Sequence, residues 1–234
     1  MSDIMIFKRY EKKYLLTKTE YEQLMSVIKE KLVPDKYGKN TLCSLYLDTP
    51  DFLLIRNSID AVSYKEKLRM RSYGIPGRDK PLFFEIKKKY KRVVYKRRVS
   101  MTVEQAVEYI ETGVPPFESQ IMREIDYLMQ FYRQPKPNVC ILCEREAFFS
   151  KDDSEIRLTF DANLRYRYGF PSNENIGEGI PIIENDKYIM EIKTPGAMPL
   201  WLVHALSECK IYPRSFSKYA HAYYDIMRKE RNGV

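Results

Sequence analysis

The chain has two histidines, one tryptophan and four cysteines in 234 residues. Cys140 and Cys143 form a lone C-x-x-C, and a structural zinc site needs a second pair of ligands. His204 and His221 are not spaced as such a pair. A redox C-x-x-C opens a helix after a strand, whereas this one lies inside the apolar stretch Val139-Cys140-Ile141-Leu142-Cys143. Cys43, Cys140, Cys143 and Cys209 are therefore expected to be reduced core thiols, which suits a cytosolic compartment. No apolar run approaches the ~18 residues of a membrane-spanning helix. The first nine residues, Met1-Ser2-Asp3-Ile4-Met5-Ile6-Phe7-Lys8-Arg9, lack the basic and apolar regions of a secretory signal. Internal repeats and low-complexity tracts are also missing.

What is present is charge of one dominant sign. Lysine and arginine number 40 against 32 acidic residues, a formal net charge of +8. The hydrophobic fraction is 44% and the charged fraction 31%, a globular composition. At this length the chain can bury its own core, and one domain over residues 1–234 is expected. The surplus favours polyanionic partners such as nucleic acid, nucleotides, inorganic phosphates or anionic lipid; a basic but inert surface is the alternative.

Capping boxes mark two helices: Thr19-x-x-Glu22 ahead of Leu24, Val27, Ile28 and Leu32, and Thr102-x-x-Gln105, closed by Gly113. Ser119 to Phe131, Pro199 to Ile211 and Ser217 to Lys229 also read as helices. Gly169 to Pro181 reads as a surface loop. Strands are expected at Phe7–Leu16, Thr41–Asp48, Tyr64–Tyr73, Leu82–Lys89, Val93–Met101, Val139–Phe149, Ile156–Leu164 and Tyr188–Lys193. Few are joined by helices, so the class is α+β with a mainly antiparallel sheet.

The strands alternate unusually. Lys65, Lys67, Arg69 and Arg71 share one parity, against Glu66, Leu68 and Met70. Glu85, Lys87 and Lys89 oppose Phe84, Ile86 and Lys88; Lys96 and Arg98 oppose Tyr95, Arg97 and Val99. Arg9, Glu11 and Lys13 oppose Tyr10, Lys12 and Tyr14; Glu191 and Lys193 oppose Met190 and Ile192. Such faces are either the solvated outside of a sandwich or, if amphipathic helices cover the apolar faces, the lining of a sheet wrapped around an anion.

The motifs Arg9-Tyr10-Glu11-Lys12-Lys13-Tyr14, Ser44-Leu45-Tyr46-Leu47-Asp48, Lys67-Leu68-Arg69-Met70-Arg71, Phe84-Glu85-Ile86-Lys87 and Tyr95-Lys96-Arg97-Arg98 occur in that order. They are followed by Glu144-Arg145-Glu146-Ala147-Phe148, Ile156-Arg157-Leu158-Thr159-Phe160-Asp161, Met190-Glu191-Ile192-Lys193 and Ser215-Phe216-Ser217-Lys218-Tyr219. From about Phe7 to Tyr224 the chain resembles the VTC domain, the catalytic domain of the vacuolar transporter chaperone polyphosphate polymerase. That domain belongs to the triphosphate tunnel metalloenzymes, related to CYTH proteins. The resemblance implies an eight-stranded antiparallel β-barrel, a tunnel, with helices packed outside. It also implies transfer of the ATP γ-phosphoryl group to a growing inorganic polyphosphate.

By that resemblance, Lys13, Arg69, Arg71, Lys87, Lys96, Arg157 and Lys218 bind phosphate, and Glu191 binds Mn²⁺ or Mg²⁺. The chemistry is coherent. Arg offers a planar fork to phosphate oxygens, the i, i+2 spacing of Arg69 and Arg71 sets both on one strand face, and hard ions prefer oxygen ligands. Glu11 and Glu85 are further metal candidates, or else partners of neighbouring cations. No dedicated general base stands out. The run Lys87-Lys88-Lys89-Tyr90-Lys91-Arg92 either guides an anionic chain or is a solvated hairpin. Trp201 is expected in packing, and His204 and His221 without chemistry.

Eukaryotic members carry an inositol-phosphate-sensing SPX domain and membrane helices. This chain is expected to be a free-standing cytoplasmic module, tied to the inner face of a membrane only through a separate membrane protein. The expected partners are ATP and inorganic polyphosphate or tripolyphosphate, and not nucleic acid. A tripolyphosphate or nucleoside triphosphate hydrolase of the same fold, and a non-catalytic polyphosphate-binding module, are the competing readings.

Overall fold

The computed structural model describes residues 10–60, 63–77, 80–91, 93–170 and 177–232. In chain order the elements are β1 (Tyr10–Thr17), α1 (Lys18–Ile28), a 3₁₀ turn (Lys29–Lys31), β2 (Leu32–Pro34), β3 (Asn40–Asp48), α2 (Leu53–Ile59), β4 (Tyr64–Tyr73), β5 (Leu82–Tyr90) and β6 (Val93–Met101). Then come α3 (Val103–Thr112), α4 (Gln120–Phe131), β7 (Lys136–Ser150), β8 (Arg157–Tyr168), β9 (Ile180–Pro181), β10 (Lys187–Thr194), α5 (Leu200–Glu208) and α6 (Lys218–Asn232). The eight expected strands are all there. The brief β2 and β9 and the helix α2 carry too few periodic residues to be read from sequence. Phe7 to Arg9, Arg92 and residues 171–176 of the expected loop lie outside the described residues. Ile180 and Pro181, read as loop, pair with Tyr166 and Arg165.

The chain divides into two compact units. The first holds residues up to 40, 143–164 and 183–217. Its strands run in the order β1-β10-β8-β7, with β2 added to the end of β7. Pairing is antiparallel at β1–β10 and β10–β8. Tyr14, Leu16, Leu158, Phe160, Met190 and Ile192 form its core with Leu24 and Ile28 of α1 and Leu202 and Leu206 of α5; Trp201 packs against it, half-buried. The cap of α1 differs from expectation. Thr17 is the N-cap, with its hydroxyl accepting from Glu20 N at 3.2 Å and Glu20 Oε2 accepting from Thr17 N at 2.7 Å. Thr17-x-x-Glu20 and Thr19-x-x-Glu22 are equally good boxes in sequence. The earlier one is used because Leu16 is the last buried residue of β1.

The second unit holds residues 41–142, 165–182 and those from 218 on. Its strands run β7-β3-β4-β5-β6. Leu68 and Met70 of β4 and Phe84 and Ile86 of β5 pack under α3 and α4 through Tyr109, Met122, Ile125 and Met129. The capping box at Thr102 and Gln105 forms, and Gly113 closes α3 at φ 74°. β3 and β7 are buried on both faces. Leu45, Leu47 and Cys140 face α3 and α4's core, while Tyr46, Val139 and Ile141 pack with Tyr219, Ala222 and Ile226 of α6. Their sequences therefore read as apolar runs rather than alternations.

Tyrosine hydroxyls bond buried and half-buried carboxylates within both units. Tyr219 donates to Asp48 (2.9 Å), Tyr132 to Glu66 (2.7 Å), Tyr109 to Asp126 (3.0 Å), Tyr166 to Asp225 (2.8 Å) and Tyr21 to Glu146 (3.1 Å). This use accounts for part of the chain's 19 tyrosines. Cys43, Cys140 and Cys143 are free and buried, and Cys209 is free and half-buried. No helix among the described residues is long and apolar enough to cross a membrane.

Candidate functional site

In the second unit the registers of β4, β5 and β6 stack like charges in rows. Residues directly opposite one another share a face. One row is Arg69, Glu85 and Arg98; the next is Lys67, Lys87 and Lys96; the next is Lys65, Lys89 and Val94. The intervening rows are Leu68, Ile86 and Arg97, and Met70, Phe84 and Val99, which is the parity covered by helices. The charged face is thus the one that α3 and α4 leave. It is not a solvated exterior around Arg69 and Glu85, whose side chains are only 16% and 1% exposed.

Glu85 is the carboxylate of these rows. Arg69 donates Nε (2.8 Å) and Nη2 (2.7 Å) to its Oε2, and Lys96 Nζ lies 2.8 Å from its Oε1. Arg69 Nη1 also donates to the Tyr46 hydroxyl at 3.3 Å, and Arg71 Nε to Ser44 Oγ at 3.1 Å. Burial alone would raise the Glu85 pKa, but Arg69, Arg71 and Lys96 outweigh it and hold the carboxyl down to about 2. Burial of the Tyr46 hydroxyl is likewise outweighed by Arg69, Lys67 and Arg71, which bring the phenol down to about 7. Lys96 is lowered to about 8 by desolvation, with Arg69 and Arg71 adding to it and Glu85 opposing. Its side chain is 42% exposed, so water screens part of this effect.

The first unit carries a mixed face. One row across β1, β10 and β8 is Glu11, Lys193 and Arg157; the next is Lys13, Glu191 and Thr159. Lys193 Nζ is 2.7 Å from Glu191 Oε1, and Lys13 Nζ is 3.4 Å from Glu11 Oε1. Lys13 also donates to the Phe216 carbonyl at 3.1 Å. Burial would raise the Glu191 pKa; Lys193, Lys13 and Arg145 bring it down to about 2. Arg145 grips Asp161 through two bonds of 2.5 and 2.7 Å, which removes that carboxylate from competition for a cation. Arg157 reaches Asp35 through Nη2 at 2.9 Å and lies 5.2 Å over the Phe149 ring. Its Nε is buried without a hydrogen-bond partner, as is Thr159 Oγ1.

Among the residues predicted from sequence, Arg69, Arg71, Lys87, Lys96 and Glu85 come together on one sheet face of the second unit. Lys13, Arg157, Glu191 and Glu11 come together on one face of the first. Lys218 begins α6 in the second unit and is half-buried. Of the run Lys87 to Arg92, Lys89, Tyr90 and Lys91 are exposed at the β5–β6 turn. Tyr46, Lys67, Arg98, Arg145, Asp161, Lys193 and Thr159 belong to these faces without having been assigned a role. Strand parity already sets Lys67, Arg98 and Lys193 on these faces, and cross-strand register adds which residues they lie beside. His204 and His221 are exposed.

A cage of protein carboxylates is not what these residues make: among the described residues no three His, Cys, Asp or Glu side chains converge. Glu191 is one carboxylate flanked by lysines, and beside it is an orphaned buried hydroxyl. That donor set fits a hard divalent ion that keeps most of its ligands from water and phosphate.

The antiparallel α+β architecture is one that several solved structures share. The chain shares its fold with a candidate adenylate cyclase from Bacillus halodurans (TM-score 0.55, 16% identity, 88% of this chain and 92% of that one). A candidate adenylyl cyclase from Hippeastrum whose dominant activity is that of a triphosphatase is similar at TM-score 0.53 and 15% identity, over 90% and 92% of the two chains. A third, from Vibrio parahaemolyticus, gives TM-score 0.50 and 11% identity over 92% and 97%. A search of curated proteins gave no match. The VTC domain family matches residues 8–226, and the chain belongs to that family.

Proposed function

We propose that the chain is an ATP-dependent, divalent-metal-dependent polyphosphate polymerase, with residues 1–234 acting as one functional domain. The observation that carries this reading is the row Lys67, Lys87 and Lys96 beside Arg69, Glu85 and Arg98. Like charges directly opposite on a sheet are destabilising, and a bound polyanion removes that cost. A single small anion spans few of these rows, whereas a chain of phosphates can follow them in succession.

In this reading Arg69, Arg71, Lys87, Lys96, Lys13, Arg157 and Lys218 bind phosphate oxygens. Arg69 is pre-oriented by Glu85 and Tyr46, and Arg157 by Asp35 and Phe149, so each guanidinium is held before substrate arrives. The terminal oxygen of the acceptor polyphosphate attacks the ATP γ-phosphorus in line, the bond from that phosphorus to the β,γ-bridging oxygen breaks, and ADP leaves. The acceptor is already anionic and needs no base. The cations stabilise charge on the transferring group and on the leaving oxygen. Glu191 would hold a Mn²⁺ or Mg²⁺ ion, whose positive charge would help to neutralise the phosphates. The compartment that suits the reduced thiols is the cytoplasm, with any membrane link supplied by another protein.

A triphosphatase is the second reading, favoured by the activity of the Hippeastrum protein that shares this fold. There water takes the place of the acceptor phosphate. A gel-resolved assay with γ-labelled ATP and Mn²⁺ separates the readings, with Lys218→Ala and Glu191→Ala run beside the unaltered chain. A labelled ladder that both substitutions abolish is the expected result. Label appearing only as orthophosphate selects the triphosphatase. No turnover, with tripolyphosphate still raising Tm, selects a polyphosphate-binding module.

A further inference from the structure

Thr159 stands out among the buried polar residues. It is 2% exposed, and its Oγ1 has no hydrogen-bond partner. A buried hydroxyl without a hydrogen bond is destabilising, and valine has the same shape without that cost. The hydroxyl sits directly opposite Glu191 in the β8–β10 register, on the face that also carries Lys13. Two residues earlier on the same strand face, Arg157 Nε is also buried without a partner. Two adjacent polar atoms of different chemistry are thus left unmet on one short stretch of β8.

We infer that Thr159 Oγ1 is a ligand of the divalent cation that accompanies the phosphate chain, paired with Glu191 across β8 and β10. The inference rests on the proposed triphosphate-acting function and extends it to a residue with no assigned role. Arg157 Nε is a donor and is met by a phosphate oxygen. The Thr159 oxygen beside a carboxylate is suited instead to a hard cation, as serine and threonine hydroxyls are in nucleotide-binding loops. Glu191 alone, with Lys193 at 2.7 Å, is a weak anchor for a metal. A second oxygen opposite it supplies a ligand that the lysine cannot occupy.

The test is thermal melting of the whole chain, first with tripolyphosphate and then with Mn²⁺ titrated into the tripolyphosphate-saturated protein. Thr159→Val, Thr159→Ser and Glu191→Gln are compared with the unaltered protein. Without ligand, Thr159→Val is expected to melt at the same temperature or higher, because no protein hydrogen bond is lost. With tripolyphosphate alone it is expected to gain as much Tm as the unaltered chain. Its Mn²⁺ midpoint is expected to rise about tenfold, as when partners of a metal site are removed, while Thr159→Ser stays near the original. An unchanged Mn²⁺ midpoint in Thr159→Val overturns the inference alone. A lost response to metal-free tripolyphosphate in that variant also overturns it, since the hydroxyl then touches phosphate. If tripolyphosphate fails to stabilise the unaltered protein, the underlying functional reading falls first.

Discussion

Arg69 and Glu85 face each other directly across β4 and β5, with Nε and Nη2 at 2.8 and 2.7 Å from one carboxylate oxygen, while Lys96 Nζ forms an ion pair with the other at 2.8 Å. Two cations share one buried acid, so the arrangement is balanced for something more anionic than the protein itself. Glu85→Gln leaves the Arg69 guanidinium buried beside Lys96 without a counter-charge. The expected loss of stability is about 3 kcal/mol, the low end for breaking a buried pair. The pH dependence has a definite sign. The folded pKa of about 2 lies below that of the unfolded chain, so the contribution is full above about pH 4.3 and is lost as pH falls toward 2. Urea unfolding of both proteins from pH 2 to 7 should show the difference between them shrinking across that window. A constant difference would rule out this role for the Glu85 charge.

The cap of α1 offers a cleaner test of local structure. Thr17→Ala removes the hydroxyl that accepts from Glu20 N and is expected to cost about 1 kcal/mol. Thr19→Ala, one residue into the helix, removes no cap and is expected to change stability by no more than a few tenths, helped by alanine's helix propensity. Denaturant midpoints of the two variants should separate in that order. Equal losses would mean that the helix starts at either threonine.

The two threonines also show where sequence reading stops. Eight strands and five helices were legible because their periods are long and their caps explicit; α2 is seven residues and enters through Phe52 in a left-handed conformation, at φ 59°. Asp48 caps it from six residues upstream, its carboxylate accepting from Leu54 N at 2.8 Å and Ile55 N at 3.1 Å. No local pattern announces that. Alternation on β4 showed which residues share a face, because parity is a property of one strand. Which lysine lies beside which glutamate is a property of register between strands. So parity alone sets Glu85 among cations and Lys193 on the face of Glu191, whereas Arg145 on Asp161, a pair between strands, has no such signal. The family resemblance supplied the residue roles that periodicity could not.

Register also makes a prediction about binding. Lys87 lies between Lys67 on β4 and Lys96 on β6. Lys87→Met keeps the stem and removes the central charge of the row. With tripolyphosphate the variant is expected to gain less Tm than the unaltered chain, and the difference should fade as salt rises. A stability loss in the free protein, with tripolyphosphate binding intact, would show that the row is structural and the anion binds elsewhere.

Tyr46 reports on the same charges from the other side. Its hydroxyl accepts from Arg69, its ring stacks on Tyr219 at 4.3 Å, and Arg69, Lys67 and Arg71 bring its pKa down to about 7. The folded state therefore binds fewer protons than the unfolded state between about pH 7 and the ordinary tyrosine value near 10. Stability should rise with pH across that interval in the unaltered protein and rise less in Tyr46→Phe. A tyrosinate absorbance titrating near neutrality should be present in the first and missing in the second. Tripolyphosphate neutralises the cations that hold the phenolate, so its binding should push the Tyr46 pKa back up, quench the tyrosinate band at pH 8 and take up a proton. Binding enthalpies measured in buffers of different ionisation heat give that proton count directly. Zero uptake, with the band unchanged on binding, would mean that the polyanion does not reach the Arg69 end of the cation rows.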